Sequence, residues 1–409
     1  MQQAVVSLPD GLHAQVRWVA GELCAAAGLK VAEGAPALAL DPAWDLRTAA
    51  ATLARTEELG GAVDEHGRFP ASASTLPAGA APLDEIVVAL REAATRAGAV
   101  PAPVYPGGAR FAVALTHDID TPWRWSARGL RGAGARLKAA LITGDLATVR
   151  LEATGLTLAP LHRLRGSDPN WSHRRIAGLE RRRGFSSTCF LLAAHRDPHD
   201  GASPEAYAER RARLVAELAG LGLEVGLHAS YTCLADERLV AVERAELARL
   251  LGGPIAGNRH HYLRLPWHEG IRALDRLGFA YDATLGYAER PGPRAGLSFP
   301  FRPWDVAVGG PLRILELPLV LMDTTLAEQR YLGLSPEQAW EVVERALDHL
   351  HDVRGCASIL WHNDRFDSVY GRGWGRLYER LLDGIAERGG HAGTARALTD
   401  FWRDERCAS

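Results

Sequence analysis

From Phe111 onward, apolar residues fall into short runs that stop abruptly at acids and histidines. The sharpest is Phe111-Ala-Val-Ala-Leu-Thr-His-Asp-Ile-Asp120, a run of strand formers closed by Thr116, His117, Asp118 and Asp120. Similar runs predict strands over 185–192, 223–227, 260–264, 279–283, 312–317 and 356–361. Amphipathic stretches between them predict helices over 203–220, 235–251, 268–277, 335–351 and 374–387. Strand–helix alternation at this spacing implies parallel strands joined by right-handed crossovers. The expectation is an α/β fold, an irregular TIM-like (β/α) barrel of about seven strands. No glycine-rich phosphate loop opens any of the helices, which argues against a doubly wound nucleotide-binding sheet.

The beginning of the chain has a different texture. Helices are predicted over 11–28 and 83–97, separated by the small-residue stretch at 71–82. Val100-Pro-Ala-Pro-Val-Tyr-Pro-Gly-Gly108 punctuates heavily and reads as a linker. The division that follows is a small N-terminal accessory domain over 1–105 and the barrel over 106–409.

Composition narrows the partners. With 409 residues, 47% of them hydrophobic and a net charge of -2, the chain gives no overall electrostatic case for nucleic acid or an anionic membrane as its main partner. The cysteines at 24, 189, 233, 356 and 407 form no CxxC pair and read as reduced thiols rather than a disulfide frame. The first residues lack a basic start followed by an apolar core, and no apolar stretch reaches the roughly 18 residues that span a bilayer. A cytoplasmic protein without a membrane span is expected.

In a parallel barrel the polar strand ends share one face, where active sites sit. That places together His117, Asp118 and Asp120, then His228, the run Arg259-His-His-Tyr-Leu-Arg264, Asp282, Glu316 and His362. A carboxylate and a histidine facing one space, with no cysteine cluster, suit zinc, cobalt, manganese or nickel in an N/O site with open positions. A second carboxylate can deprotonate a water, and a histidine opposite can protonate a leaving group. That constellation describes metal-assisted hydrolysis of an amide or ester. The plainer alternatives are a capping pair for Asp118 and Asp120, a core histidine for His228, surface ion pairs for Arg259 and Arg264, and a structural carboxylate for Glu316. Trp123 and Trp125, just after the aspartates, are packing residues or stacking platforms for a sugar ring. Cys233 has no base partner and reads as a small buried residue.

The stretch from about 110 to 370 resembles the polysaccharide deacetylases, the NodB-homology domain of carbohydrate esterase family 4, in a divergent form with an N-terminal extension. Thr116-His-Asp-Ile-Asp120 is similar to the first motif, which implies Asp118 as catalytic base and Asp120 as metal ligand. Gly226-Leu-His-Ala-Ser-Tyr231 is similar to the second, which implies His228 as a metal ligand. The family's second histidine would stand four residues on, where this chain has Thr232, so the third ligand is His261, His117 or Thr232 itself. Arg259 matches an arginine that pairs with the base, Asp282 matches the fourth-motif aspartate, and Ile359-Leu-Trp-His362 matches the last motif, with His362 as general acid. The resemblance implies a divalent transition metal and removal of an acyl group, chiefly N-acetyl, from a sugar or glycan precursor. Two other readings stay open: a metal-independent amidohydrolase of a small cyclic amide on the same barrel, and an inactive barrel that binds a glycan.

Overall fold

A curled sheet of parallel strands carries the chain from Ala112 to Gly393. The computed structural model describes residues 5–7, 13–31, 38–39, 41, 44–98, 105–164, 167–201 and 204–406. The sheet strands are β1 (Ala112–Ile119), β2 (Thr188–Leu192), β3 (Glu224–Ala229), β4 (Gly257–His260), β5 (Tyr281–Asp282), β6 (Leu315–Glu316), β7 (Leu319–Met322), β8 (Cys356–Leu360) and β9 (His391–Gly393). Their order is β6-β5-β4-β3-β2-β1-β8-β7, and every ladder is parallel. One edge of β1 serves two partners: β9 pairs with Ala112–Ala114 and β2 with Thr116–Ile119.

Curling is forced by connectivity. β6 and β7 lie at opposite ends of the sheet order, yet only Leu317 and Pro318 separate them in the chain. Three Cα–Cα steps reach ~11 Å at most, so the two ends of the sheet must meet. Pro318 marks the meeting point, its carbonyl accepting from the Ser358 amide at 2.8 Å while the Leu317 amide donates to Asp282 at 2.8 Å. The result is an irregular (β/α) barrel, with no ladder between β6 and β7 among the described residues. Its interior is tight enough to require glycine: a Cβ on Gly257 would lie 1.9 Å from the Tyr281 ring, and one on Gly226 would lie 2.6 Å from Phe190.

Twelve helices longer than five residues surround or flank the sheet among the described residues: α1 (Ala14–Ala27), α2 (Leu46–Leu53), α3 (Pro82–Arg96), α4 (Ala127–Thr143), α5 (Leu146–Leu164), α6 (His173–Arg181), α7 (Pro204–Gly220), α8 (Glu237–Leu251), α9 (Trp267–Arg276), α10 (Pro336–Val353), α11 (Trp374–Glu387) and α12 (Ala395–Arg406). The α10 start is written locally, with Pro336 in its first turn and Ser335 and Gln338 forming a reciprocal capping box. Before β1, the helices α1 and α3 share a continuous apolar core with the barrel, including Val19, Leu23, Val87 and Leu90. Polar contacts tie the same layer down. Arg302 reaches Glu22 at 3.0 Å, and Asp84 accepts from the Ser298 amide at 2.8 Å.

Four differences from the sequence reading have physical causes. The strand expected over 260–264 lies at Gly257–His260, because the chain turns at His261 with Tyr262 and Leu263 in the left-handed region. The run 312–317 contributes only Leu315–Glu316, and a separate strand follows Pro318. β9 is three residues long, too short to show a period. The helices α4 and α5 lie outside the expected set, α5 because its apolar residues fall on several faces.

Asp84 is fully buried and bonded to the half-exposed His349 at 2.7 Å, which links α3 to α10. The bond to Asp84 raises the His349 imidazole above its usual value, against partial burial. Folding therefore favours the protonated ring. The stabilisation is present below about pH 6.5 and fades as pH rises through the raised value. His349→Gln is expected to lower Tm by about 1–2 °C near pH 6, because the pair is partly screened, with the difference closing at alkaline pH. A thermal melt series across pH checks this, and an equal difference at every pH would contradict it.

Candidate metal centre and active site

The C-terminal strand ends open into a cavity of about 230 Å³, lined by Asp118, Asp120, His228, His261 and His362 among others. Period-two alternation along β1 sends Asp118 and Asp120 to this side and His117 to the other. His117 is fully buried behind the sheet, with Nδ1 2.7 Å from the Trp361 carbonyl and Nε2 2.9 Å from Glu180. It is thereby removed from the candidate ligands. Thr232 does not line the cavity, and its buried Oγ1 finds no hydrogen-bond partner among the described residues.

Asp120, His228 and His261 each point one ligand atom at a common space, all within 4.8 Å of one another. His228 Nδ1 lies 2.8 Å from the Arg259 carbonyl, which can only accept, so the proton sits on Nδ1 and Nε2 offers a lone pair. That lone pair faces carboxylate oxygens, Asp120 at 3.2 Å and Asp118 at 3.5 Å. Both His228 Nε2 and Asp120 Oδ1 are buried without a hydrogen bond. Acceptor facing acceptor in a buried site is unfavourable unless a cation lies between them. Ligand atoms about 2.1 Å from one ion at tetrahedral angles stand ~3.4 Å apart. The 3.2 Å from Asp120 Oδ1 to His228 Nε2 is close to that spacing, and the other oxygen, Oδ2, lies 3.6 Å from His261 Nε2. His261 is oriented from behind by Asp200, 3.0 Å from its Nδ1, as a ligating histidine commonly is. The electrostatics demand positive charge here. Burial works to raise the Asp120 carboxyl, yet the protonated His261 ring beside it holds it well below the usual carboxylate range. Burial likewise pulls the His261 ring down, but Asp120 and Asp200 outweigh it and hold it up at about 9.

Two further groups flank the cluster. Asp118 Oδ1 accepts from Arg259 Nη1 at 3.2 Å. Arg259 is fully buried and is itself fixed by the Ala283 carbonyl at 2.8 Å and Thr116 Oγ1 at 2.7 Å. His362 brings its Nε2 to 3.7 Å from Asp120, while its Nδ1 lies 2.7 Å from Asp323, which also accepts from Arg365 at 3.0 Å. Burial lowers the His362 imidazole, but Asp323 first, then Asp120 and Asp118, raise it to about 10. Asp282 is not brought to the cavity. It sits below, bonded to Asn258 at 2.7 Å and Thr284 at 2.8 Å, and burial raises its carboxyl. Glu316 is also fully buried, and burial with Asp282 beside it pushes its carboxyl well above the usual range.

Several residues that shape the site were not singled out in sequence. Asp323 carried a usable signal, because it ends the apolar run Leu319–Met322 much as Asp118 and Asp120 end theirs. Asp200 carried none, since it lies in a loop turn where no periodicity applies. Arg68 arrives from the N-terminal layer. It pairs with Asp64 at 2.6 Å, donates to the Tyr262 carbonyl at 3.2 Å and lines the cavity. Arg264 is no surface pair: it donates to the His66 and Tyr231 carbonyls and stacks 4.1 Å over the Tyr231 ring. Together these hold the loop that follows His261, where Tyr262 and Leu263 have φ of 61° and 56°. Trp123 and Trp125 do not line the cavity. Trp123 packs on Trp171 with ring centres 4.6 Å apart, and Trp125 is buried against Tyr370. Cys233 is buried, and burial with Glu243 nearby pushes its thiol up to about 12.

No family model matches the chain, and no curated protein matches it. Among solved structures it is similar to a protein of Mycobacterium smegmatis assigned as a polysaccharide deacetylase, at 19% identity and a TM-score of 0.49, over 74% of this chain and 94% of that one. It is also similar to a probable polysaccharide deacetylase from Pseudomonas aeruginosa PAO1, at 16% identity and a TM-score of 0.49, over 77% and 98% of the two chains. A family 4 carbohydrate esterase from Streptomyces lividans, in complex with acetate, matches at 12% identity and a TM-score of 0.35, over 70% and 93%.

If His261 completes the ligand set, His261→Ala is expected to weaken zinc binding by at least tenfold, as losses around such sites commonly do. Thr232→His, outside the cavity, should change affinity little. Competition with a chelator measures both, and a His261→Ala variant binding as tightly as wild type would remove His261 from the set.

Proposed function

We propose that the chain is a metal-dependent hydrolase that removes an acyl group, chiefly N-acetyl, from a sugar or glycan precursor. The observation that carries this reading is the convergence of Asp120, His228 and His261 on one space, with a separate carboxylate and a separate imidazole on either side of it. A divalent transition metal, of the zinc, cobalt, manganese or nickel class, would supply Lewis acidity toward the acyl oxygen and the attacking water. Asp120, His228 and His261 would hold it. Asp118, kept in place by Arg259, takes a proton from the attacking water. His362, carrying its proton at neutral pH beside Asp323, donates to the departing nitrogen. Asp282 and Glu316 act indirectly, by filling the layer beneath Arg259 with hydrogen-bonded carboxyls. The resemblance of the strand-end motifs to the polysaccharide deacetylases supports the acyl-sugar substrate class.

We further propose that residues 1–105 form an accessory layer on a barrel spanning 106–409, and that the chain works in the cytoplasm on a soluble precursor. Cys24, Cys189 and Cys233 are free and buried, as suits a reducing compartment. No described helix is long and apolar enough to cross a membrane.

Acetate release from acetamido sugars, followed on the zinc-loaded protein, tests the reading. Asp118→Asn should keep the metal and lose about 10²–10⁴-fold in kcat, because an amide cannot accept the water's proton. Asp323→Asn removes the partner that raises His362, so the alkaline limb of kcat/KM should move about one pH unit or more toward neutrality. Near wild-type turnover in Asp118→Asn, or an unmoved limb in Asp323→Asn, would contradict the assigned roles.

A further inference from the structure

We propose that the helical hairpin formed by α4 and α5 is a docking surface for an anionic lipid membrane, entered by the apolar tip of the hairpin. The tip is the turn between the two helices, where Leu141, Ile142 and Leu146 are 63%, 75% and 78% exposed. Further along α5, Leu158, Leu161 and Leu164 are exposed as well. Half of the large apolar side chains left exposed among the described residues therefore lie on this one hairpin. A concentration of that kind marks an interaction site rather than ordinary surface scatter.

Charge selects the partner. Between 127 and 164 the sequence carries Arg128, Arg131, Arg136, Lys138, Arg150 and Arg163 against Asp145 and Glu152. Glu152 is buried and already matched, bonded to Arg124 at 2.8 Å and to Arg136 at 2.6 Å. Asp145 caps α5, accepting from the Thr148 amide at 3.0 Å, and is the one exposed acid of the hairpin against the six cations. The exposed Lys138 stands one helical turn before Leu141 and Ile142, and the exposed Arg150 one turn after Leu146. Apolar side chains at a tip with cations one turn behind suit a lipid interface, where leucines enter the acyl boundary and long basic side chains reach the head groups. A second copy of the chain would bring the same excess of cations face to face, and a nucleic acid has no use for leucines at the tip. The net charge of -2 hides this local excess, because acids elsewhere in the chain cancel it.

Position gives the surface a purpose. The hairpin leaves the barrel just after β1, at the same strand ends that carry Asp118 and Asp120. Its base is pinned there by Asp168, which accepts from the Arg124 and Trp125 amides at 2.9 and 3.1 Å. A docked hairpin would hold the catalytic end of the barrel close to the membrane. This inference stands on the hairpin alone and does not need the hydrolase reading.

Vesicle co-sedimentation tests it, with phosphatidylcholine alone and with phosphatidylcholine containing one third phosphatidylglycerol. The wild-type chain is expected on the anionic vesicles, less on the neutral ones, with binding that falls as salt rises. Lys138→Gln combined with Arg150→Gln should weaken it roughly 25-fold, at about fivefold per cation. Leu141→Ser, Ile142→Ser and Leu146→Ser together should weaken it at least tenfold. All five side chains are exposed, so unchanged Tm and zinc binding confirm that the variants remain folded. The proposal is overturned if the wild type ignores anionic vesicles, or if the variants bind as it does. Light scattering that shows a dimer lost in the serine variant, without vesicle binding, would assign the surface to a second copy instead.

Discussion

Everything at the catalytic end of this barrel depends on one unfavourable juxtaposition. A histidine nitrogen whose lone pair is fixed by a backbone carbonyl behind it faces two carboxylates at hydrogen-bond distance, in a buried space. Without a cation the arrangement sets acceptor against acceptor, and the neighbouring imidazoles must supply positive charge instead. With one, the same atoms are a ligand set. Arg259, Asp200 and Asp323 are all best understood from that requirement, since each fixes one member of the cluster from behind.

The support comes from farther away than a barrel alone would provide. The loop carrying His261 places two consecutive non-glycine residues, Tyr262 and Leu263, in the left-handed region, at a cost of order 1–3 kcal/mol each. Arg68 holds the Tyr262 carbonyl, and Arg264 bridges the same loop to His66 and Tyr231. The N-terminal layer therefore does more than cover the barrel, because Arg68 lines the cavity and braces the loop that follows a candidate ligand.

Legibility followed the length and regularity of the signal. The strand-end residues Asp118, Asp120, His228 and His362 stood out because a buried apolar run that ends in ionisable groups is costly without a purpose, and the structure gathers all four around one cavity. His117 belongs to the same run, but the two-residue alternation of β1 carries it behind the sheet, onto Glu180. Asp200 and Arg68 were invisible because loop residues are placed by tertiary contacts that no period encodes. Helix α5 escaped for a different reason: its leucines follow no single stripe, and that same irregularity leaves several of them exposed.

A crystal structure of the zinc-loaded protein, with anomalous scattering recorded at the zinc edge, tests the central claim most directly. The account predicts one strong peak per chain within about 2.0–2.2 Å of Asp120, His228 Nε2 and His261 Nε2. A peak held by other residues, or none at saturating zinc, would contradict it.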